Sequence, residues 1–319
     1  MRASQVGRPK GSAPDWVDSD AVLRIEPLEL RARVIVEGFL SGLHRSPYHG
    51  FSSEFSEYRP YSPGDDLRYL DWKLLARTDR LYIKRFEDET NVRCQLLVDL
   101  SRSMAFGSAR RPKVEYAVTL AATLARFLVG QHDSVGLMTF DEDVVEIVPP
   151  RHRPGHLQRL LVALERATSG KTTGLAASLT RAAGLVRHRG IVVLVSDLLA
   201  PLDGLDLAFG QLRARGQEVI VFRVLDPAEV EFPFERASLF EDLETGKTFY
   251  VDPATAGVEY RARFAEHQRG LEQIAGDQGI DLVQWTTDRP LVECLFEYVN
   301  ARMRRGRTVL RRRSGGARR

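Results

Sequence analysis

Cysteine is nearly absent from this 319-residue chain, and the two present, Cys94 and Cys294, stand far apart with neither CxxC spacing nor a neighbouring histidine. That leaves no basis for a disulfide framework or a zinc knuckle, and both thiols are expected to pack as small buried hydrophobes. Long apolar runs are missing as well. Nothing approaches the roughly 18 consecutive apolar residues that a spanning helix needs, and Met1 to Asp20 is polar without an apolar signal core. Neither a membrane span nor secretion is expected, and the chain reads as cytoplasmic. Acid is missing from one end: Arg302 to Arg319 carries nine arginines and no acidic residue. Subtracting those nine from the formal net charge of +3 leaves −6 for the preceding residues, so a mildly acidic body ends in a strongly basic tail.

What is present suffices for a sizeable core, since 43% of residues are hydrophobic. Residues 1–27 read as a disordered lead rich in Gly, Pro, Ser and charge. Leu28 to Leu43 has apolar residues at helical intervals, and the following aromatic, charged stretch carries the turn signal Ser62-Pro63-Gly64-Asp65. Residues 28–91 are therefore taken as an N-terminal accessory region. From Val92 short apolar runs alternate with amphipathic stretches: strands at Val92–Val98, Ser134–Phe140, Val144–Val148, Ile191–Val195, Glu218–Val224 and Ile280–Trp285. Between them helices are predicted at Lys113–Val129, His156–Ala167, Leu175–Arg187, Leu205–Arg215 and Tyr260–Ala275, with a last one from Leu291 to about Arg304. This βα rhythm predicts a doubly wound, mainly parallel α/β sheet flanked by helices over 92–305. Glu244-Thr245-Gly246-Lys247 between aromatic runs suggests a hairpin inserted at about 229–252, and 306–319 is the basic tail.

In such sheets ligands bind beyond the carboxyl ends of strands. Three predicted loops carry oxygen donors there: Asp99-Leu100-Ser101-Arg102-Ser103, Ser169-Gly170-Lys171-Thr172-Thr173-Gly174, and Asp197 directly after Val192-Val193-Leu194-Val195-Ser196. Hard oxygens without His or Cys suit Mg²⁺ or Mn²⁺, and few anionic ligands leave such an ion electrophilic. Asp-x-Ser-x-Ser by itself is equally a capping turn.

Asp-x-Ser-x-Ser after a first strand, a Thr in a second loop and an Asp in a third resemble the metal-ion-dependent adhesion site of von Willebrand factor A domains. By that resemblance the ligands are Asp99, Ser101, Ser103, Thr173 and Asp197; Lys171-Thr172-Thr173 replaces the usual Gly-Gly-Thr, and Thr172 stays open as the alternative. A wider resemblance rests on Arg59-Pro60-Tyr61-Ser62-Pro63-Gly64-Asp65-Asp66-Leu67-Arg68-Tyr69-Leu70-Asp71-Trp72, with Glu54-Phe55 and Arg77. It resembles the hallmark that the bacterial domain-of-unknown-function family numbered 58 carries before a von Willebrand factor A-like domain. The resemblance implies an adaptor or co-chaperone working with a MoxR-type AAA+ ATPase. Members often carry N-terminal membrane helices; this chain resembles the shorter cytoplasmic branch.

The same residues admit rival readings. The segment Arg59 to Arg77 is either a partner surface or, as favoured, a structural ion-pair network. Gly170-Lys171-Thr172 is no P-loop, because Glu165 stands where a Gly is required and a helix is predicted where a strand should precede it. An aspartyl phosphotransferase would want a second acid two residues after Asp99, where Ser101 stands. His132, His152, His156 and His188 lack metal or nucleophile-elbow spacing and are taken as surface or helix-end residues. The leading expectation is a non-enzymatic, metal-dependent module whose ion accepts a Glu or Asp from a partner protein. A metal-dependent phosphoester hydrolase is the first alternative, although no base is identified for it. Nucleic-acid binding through the tail is the second, weakened by the lack of interleaved aromatics.

Overall fold

The computed structural model describes residues 27–45, 57–60, 82–85, 92–108, 111–141, 143–166, 175–186, 188–241 and 247–302. The chain divides into two compact units, Leu43–Asn91 and the remainder. Within the smaller unit, strands β1 (Glu57–Pro60) and β2 (Tyr82–Arg85) pair antiparallel, Glu57 opposite Arg85. Apart from Arg59 and Pro60 at the end of β1, the segment Arg59 to Trp72 lies outside the described residues, as do Glu54, Phe55 and Arg77.

Helix α1 (Leu28–Arg45), which opens the expected accessory region 28–91, lies largely in the larger unit. Leu28, Ala32, Ile35, Val36 and Phe39 recur at helical spacing and are all buried, forming one stripe. That stripe lies on helix α2 (Lys113–Gly130), where Phe39 meets Phe127 edge-to-face at 5.5 Å. Arg31 donates to Thr119 Oγ1 at 2.9 Å and Glu115 Oε1 at 3.1 Å. Burying that stripe ties α1 to α2 whatever follows it in sequence.

The larger unit is built on a six-stranded sheet: β3 (Arg93–Asp99), β4 (Ser134–Phe140), β5 (Val144–Arg151), β6 (Ile191–Ser196), β7 (Glu218–Leu225) and β10 (Asp281–Thr286). Their order is β10-β7-β6-β3-β4-β5, parallel throughout except for the antiparallel edge strand β5. This is the predicted doubly wound α/β fold. The central strands are buried along nearly their whole length, as uninterrupted runs such as Val192-Val193-Leu194-Val195 require when helices cover both faces. Helices α3 (His156–Glu165), α4 (Leu175–Leu185) and α5 (Leu202–Ala214) follow the predicted elements within a few residues.

Two helices depart further from expectation. A short α6 (Pro227–Glu231) follows β7, capped by Asp226 through a capping box with Glu229. Helix α7 (Pro253–Gln278) begins seven residues before the predicted Tyr260, since Pro is favoured at a first helical position even though Pro253 and Gly257 look like breakers in sequence. The inserted hairpin is confined to β8 (Ser238–Glu241) and β9 (Thr248–Val251); residues 242–246, with most of its predicted turn, lie outside the described residues. One hairpin face is anchored by Phe240, which packs on Phe232 and Phe234. A final helix spans 291–302, and Arg302 is part of it: it accompanies Tyr298 and pairs with Glu218. The rest of the basic tail lies outside the described residues. Both cysteines are buried and free. His156, expected at a surface or helix end, does begin α3 but is buried, with Nε2 2.6 Å from the Val135 carbonyl.

Candidate metal centre

The winding of the sheet reverses between β3 and β6. The chain proceeds from β3 through β4 to β5 on one side and from β6 through β7 to β10 on the other, so the loops leaving β3 and β6 part and open a crevice at their carboxyl ends. Asp99 is the last residue of β3 and Asp197 follows the last residue of β6. Two carboxylates, each about 1% exposed, are thus delivered to the switch point of the sheet, where such folds make room for a ligand.

Asp99 is held by neutral donors. The Ser101 N–H donates to Oδ1 at 2.8 Å and the Ser196 hydroxyl donates to Oδ2 at 2.5 Å. Ser196 in turn accepts from the Leu198 N–H at 3.0 Å. Leu198 sits at φ 54°, a left-handed conformation that costs a branched side chain about 1 kcal/mol or more, and its fully buried side chain holds it there. The strained turn thereby orients the loop that carries Asp197. A 3₁₀ turn, Arg102–Ala105, brings Ser103 round so that its Oγ lies 3.1 Å from that of Ser101.

Asp197 is held differently. Its Oδ1 accepts the Leu199 N–H at 3.1 Å, while its Oδ2 accepts from the ammonium of Lys113 at 2.7 Å. Lys113, the first residue of α2, is fully buried and also donates to Glu229 Oε1 at 2.5 Å. Arg223, another fully buried cation, donates from Nε to the Asp197 carbonyl at 2.9 Å, lies over the Phe264 ring and bonds Gln268 on α7. Burial pushes the Asp99 carboxyl up to about 6, helped by the negative charge of Asp197 and opposed by the bonds from Ser196 and Ser101. Burial pulls the Lys113 ammonium down, but Asp197 and Glu229 together outweigh it and hold it above its ordinary value.

Of the five expected ligands, the structure brings Asp99, Ser101 and Ser103 together on one loop and places Asp197 on the adjacent strand end. Thr173 and its alternative Thr172 lie outside the described residues. Among the described residues no group of three or more His, Cys, Asp or Glu could hold a metal, so a transition-metal site of that class is not formed by them. Two carboxylates and two adjoining hydroxyls are instead hard oxygen donors, half of them neutral, which fit Mg²⁺ or Mn²⁺. Burial, with the charge of Asp197 added to it, disfavours the Asp99 carboxylate, and a bound dication would offset that.

Sequence reasoning missed Lys113, Ser196, Arg223 and Glu229. Arg223 had a visible signal, a lone charge within Val219-Ile220-Val221-Phe222-Arg223-Val224, which a buried strand tolerates only with partners. Asp226 and Glu229 had another, the three-residue spacing of a capping box.

The family model described as "Protein of unknown function DUF58" matches residues 57–273. The chain belongs to the DUF58 family. The DUF58 chain is 30% identical over 295 residues to the uncharacterized protein Rv1480 of Mycobacterium tuberculosis (strain ATCC 25618 / H37Rv), covering 91% of this chain and 92% of that protein. Among solved structures, conserved hypothetical protein BatB from Bacteroides thetaiotaomicron is similar at TM-score 0.45 and 17% identity, covering 66% of this chain and 98% of that one. The vWF domain of the pilus tip protein Mfa5 from Porphyromonas gingivalis is similar at TM-score 0.36 and 13% identity, covering 68% and 97%. Among the described residues of the DUF58 chain, no helix is long and apolar enough to cross a membrane.

Proposed function

We propose that this DUF58 protein is a metal-dependent protein-interaction module, acting in the cytoplasm as an adaptor or co-chaperone with a MoxR-type AAA+ ATPase. The observation that supports it is the delivery of Asp99 and Asp197 to the switch point of the sheet beside the paired hydroxyls of Ser101 and Ser103. Asp99, Ser101, Ser103, Asp197 and Thr173 would hold Mg²⁺ or Mn²⁺. When bound, the ion supplies an electrophilic centre able to take a Glu or Asp carboxylate from the partner.

The protein's own groups keep the donors in place. Ser196 fixes the rotamer of Asp99, Lys113 and the Leu199 N–H fix that of Asp197, and Arg223 pins the loop backbone between β6 and α5. These groups are held as orienting partners, each carboxylate by two directed donors and Lys113 by two acids, rather than poised as nucleophile or general base. That favours binding over turnover.

The test is capture of the ATPase by immobilised wild-type and Asp99→Ala protein, with Mg²⁺ and with EDTA. Retention by wild type with Mg²⁺ alone is expected. Retention by wild type that is undiminished in EDTA, or retention by the variant in Mg²⁺ that matches wild type, would contradict the metal-dependent reading.

A further inference from the structure

We propose that Lys113 is a positioning residue that cancels part of the charge on Asp197, weakening the site's hold on its dication and keeping that ion electron-poor towards an incoming carboxylate. This rests on the metal reading above and adds to it a residue that sets how tightly the ion is held.

Two carboxylates at one switch point of the sheet are held by unlike partners. Asp99 receives only neutral donors, the Ser101 N–H and the Ser196 hydroxyl, so its charge is whole. Asp197 carries an ammonium 2.7 Å from Oδ2, and the side chains of both partners are almost wholly shielded from water, at 0% and 2% exposure. In such surroundings charge acts far more strongly than at a surface. Lys113 cannot swing away to spare Asp197, because its other contact is rigid. Glu229 accepts the ammonium on Oε1 at 2.5 Å and the Asp226 N–H on Oε2 at 2.8 Å, while its carbonyl accepts the Tyr260 hydroxyl at 2.7 Å. Asp226 is itself fixed by the Ala228 N–H and by Ser108. The ammonium is therefore divided between Asp197 and Glu229, and Glu229 moderates how much of it bears on Asp197. Oxygen-donor sites tune cation affinity through the charge of their ligands, and outer partners of a ligand shift that affinity by about 10- to 100-fold.

Two variants separate this from a merely structural ion pair, because they should move affinity in opposite directions. Lys113→Met/Glu229→Gln removes the ammonium and its second acceptor together, restores full charge to Asp197, and should tighten Mg²⁺ and Mn²⁺ by about tenfold. Glu229→Gln alone concentrates the ammonium on Asp197 and should loosen both ions several-fold. Affinity is read by calorimetry and by the electron paramagnetic resonance signal of free Mn²⁺, with melting in EDTA to establish that each variant folds. If wild type binds neither ion, the metal reading fails and this inference with it. If wild type binds but the two variants shift together or not at all, Lys113 is only structural and the metal reading stands.

Discussion

The two ends of one sheet are built from the same six strands and differ in almost every other respect. At the carboxyl end, Asp99, Asp197, Lys113 and Arg223 are buried together, each with directed partners. At the amino end a cavity of about 220 Å³ is lined mainly by apolar residues such as Ile147, Pro149, Pro150 and Leu185, with the buried, neutral Gln217 and the exposed Arg93 also on its wall. The contrast shows where the fold spends stability for chemistry. Burying a charge costs stability unless well-placed partners offset it, and among the described residues Asp99, Asp197, Lys113 and Arg223 gather such charge at the end where the winding order reverses.

Changes at the two ends should therefore differ in size and in sign. The largest effect is expected from Lys113→Met alone, which strands Asp197 and Glu229 without a counter-charge and should cost about 3–5 kcal/mol in urea denaturation. Next comes a stabilising change at the same end. Asp99→Asn removes the charge that burial and Asp197 oppose, so in EDTA at pH 7 it should raise stability by about 1–3 kcal/mol. The sign follows from the raised carboxyl: protonation of Asp99 stabilises the fold fully below its unfolded value near 3.8, and this is lost as pH rises through about 6. The advantage of the asparagine should accordingly vanish as pH falls from 7 towards 4, which parallel urea titrations would read. The smallest effect is expected at the amino end. Gln217→Leu loses one bond to the His188 carbonyl but also removes a buried, unpartnered Oε1, and should shift stability by no more than about 1 kcal/mol. A loss of several kcal/mol there would erase the distinction between the two ends.

The same contrast explains how much could be read from sequence. Strand periodicity was clear because central parallel strands are continuous apolar runs, and a polar residue that ends such a run, Asp99 or Asp197, marks a loop at a known end of the sheet. Lys113 gave no such mark. A lysine opening an amphipathic helix reads as a solvated charge, and only the tertiary placement of α2 beside the loops after β6 and β7 buries it. Helix α1 reads from sequence as part of the accessory region for a related reason: its apolar stripe shows that it packs, but its partner residues on α2 lie 84 and 88 positions further along the chain. Helix α7 hid its start behind Pro253 and Gly257, whose meaning depends on position within the helix.

The most direct test of the account is a calorimetric titration of Mn²⁺ into wild-type protein and Asp99→Asn at neutral pH. The account predicts one ion bound by wild type and none by a variant that is folded and more stable than wild type in EDTA. Absence of binding to wild type, or equal binding to both, would contradict the assignment of this crevice as a metal centre.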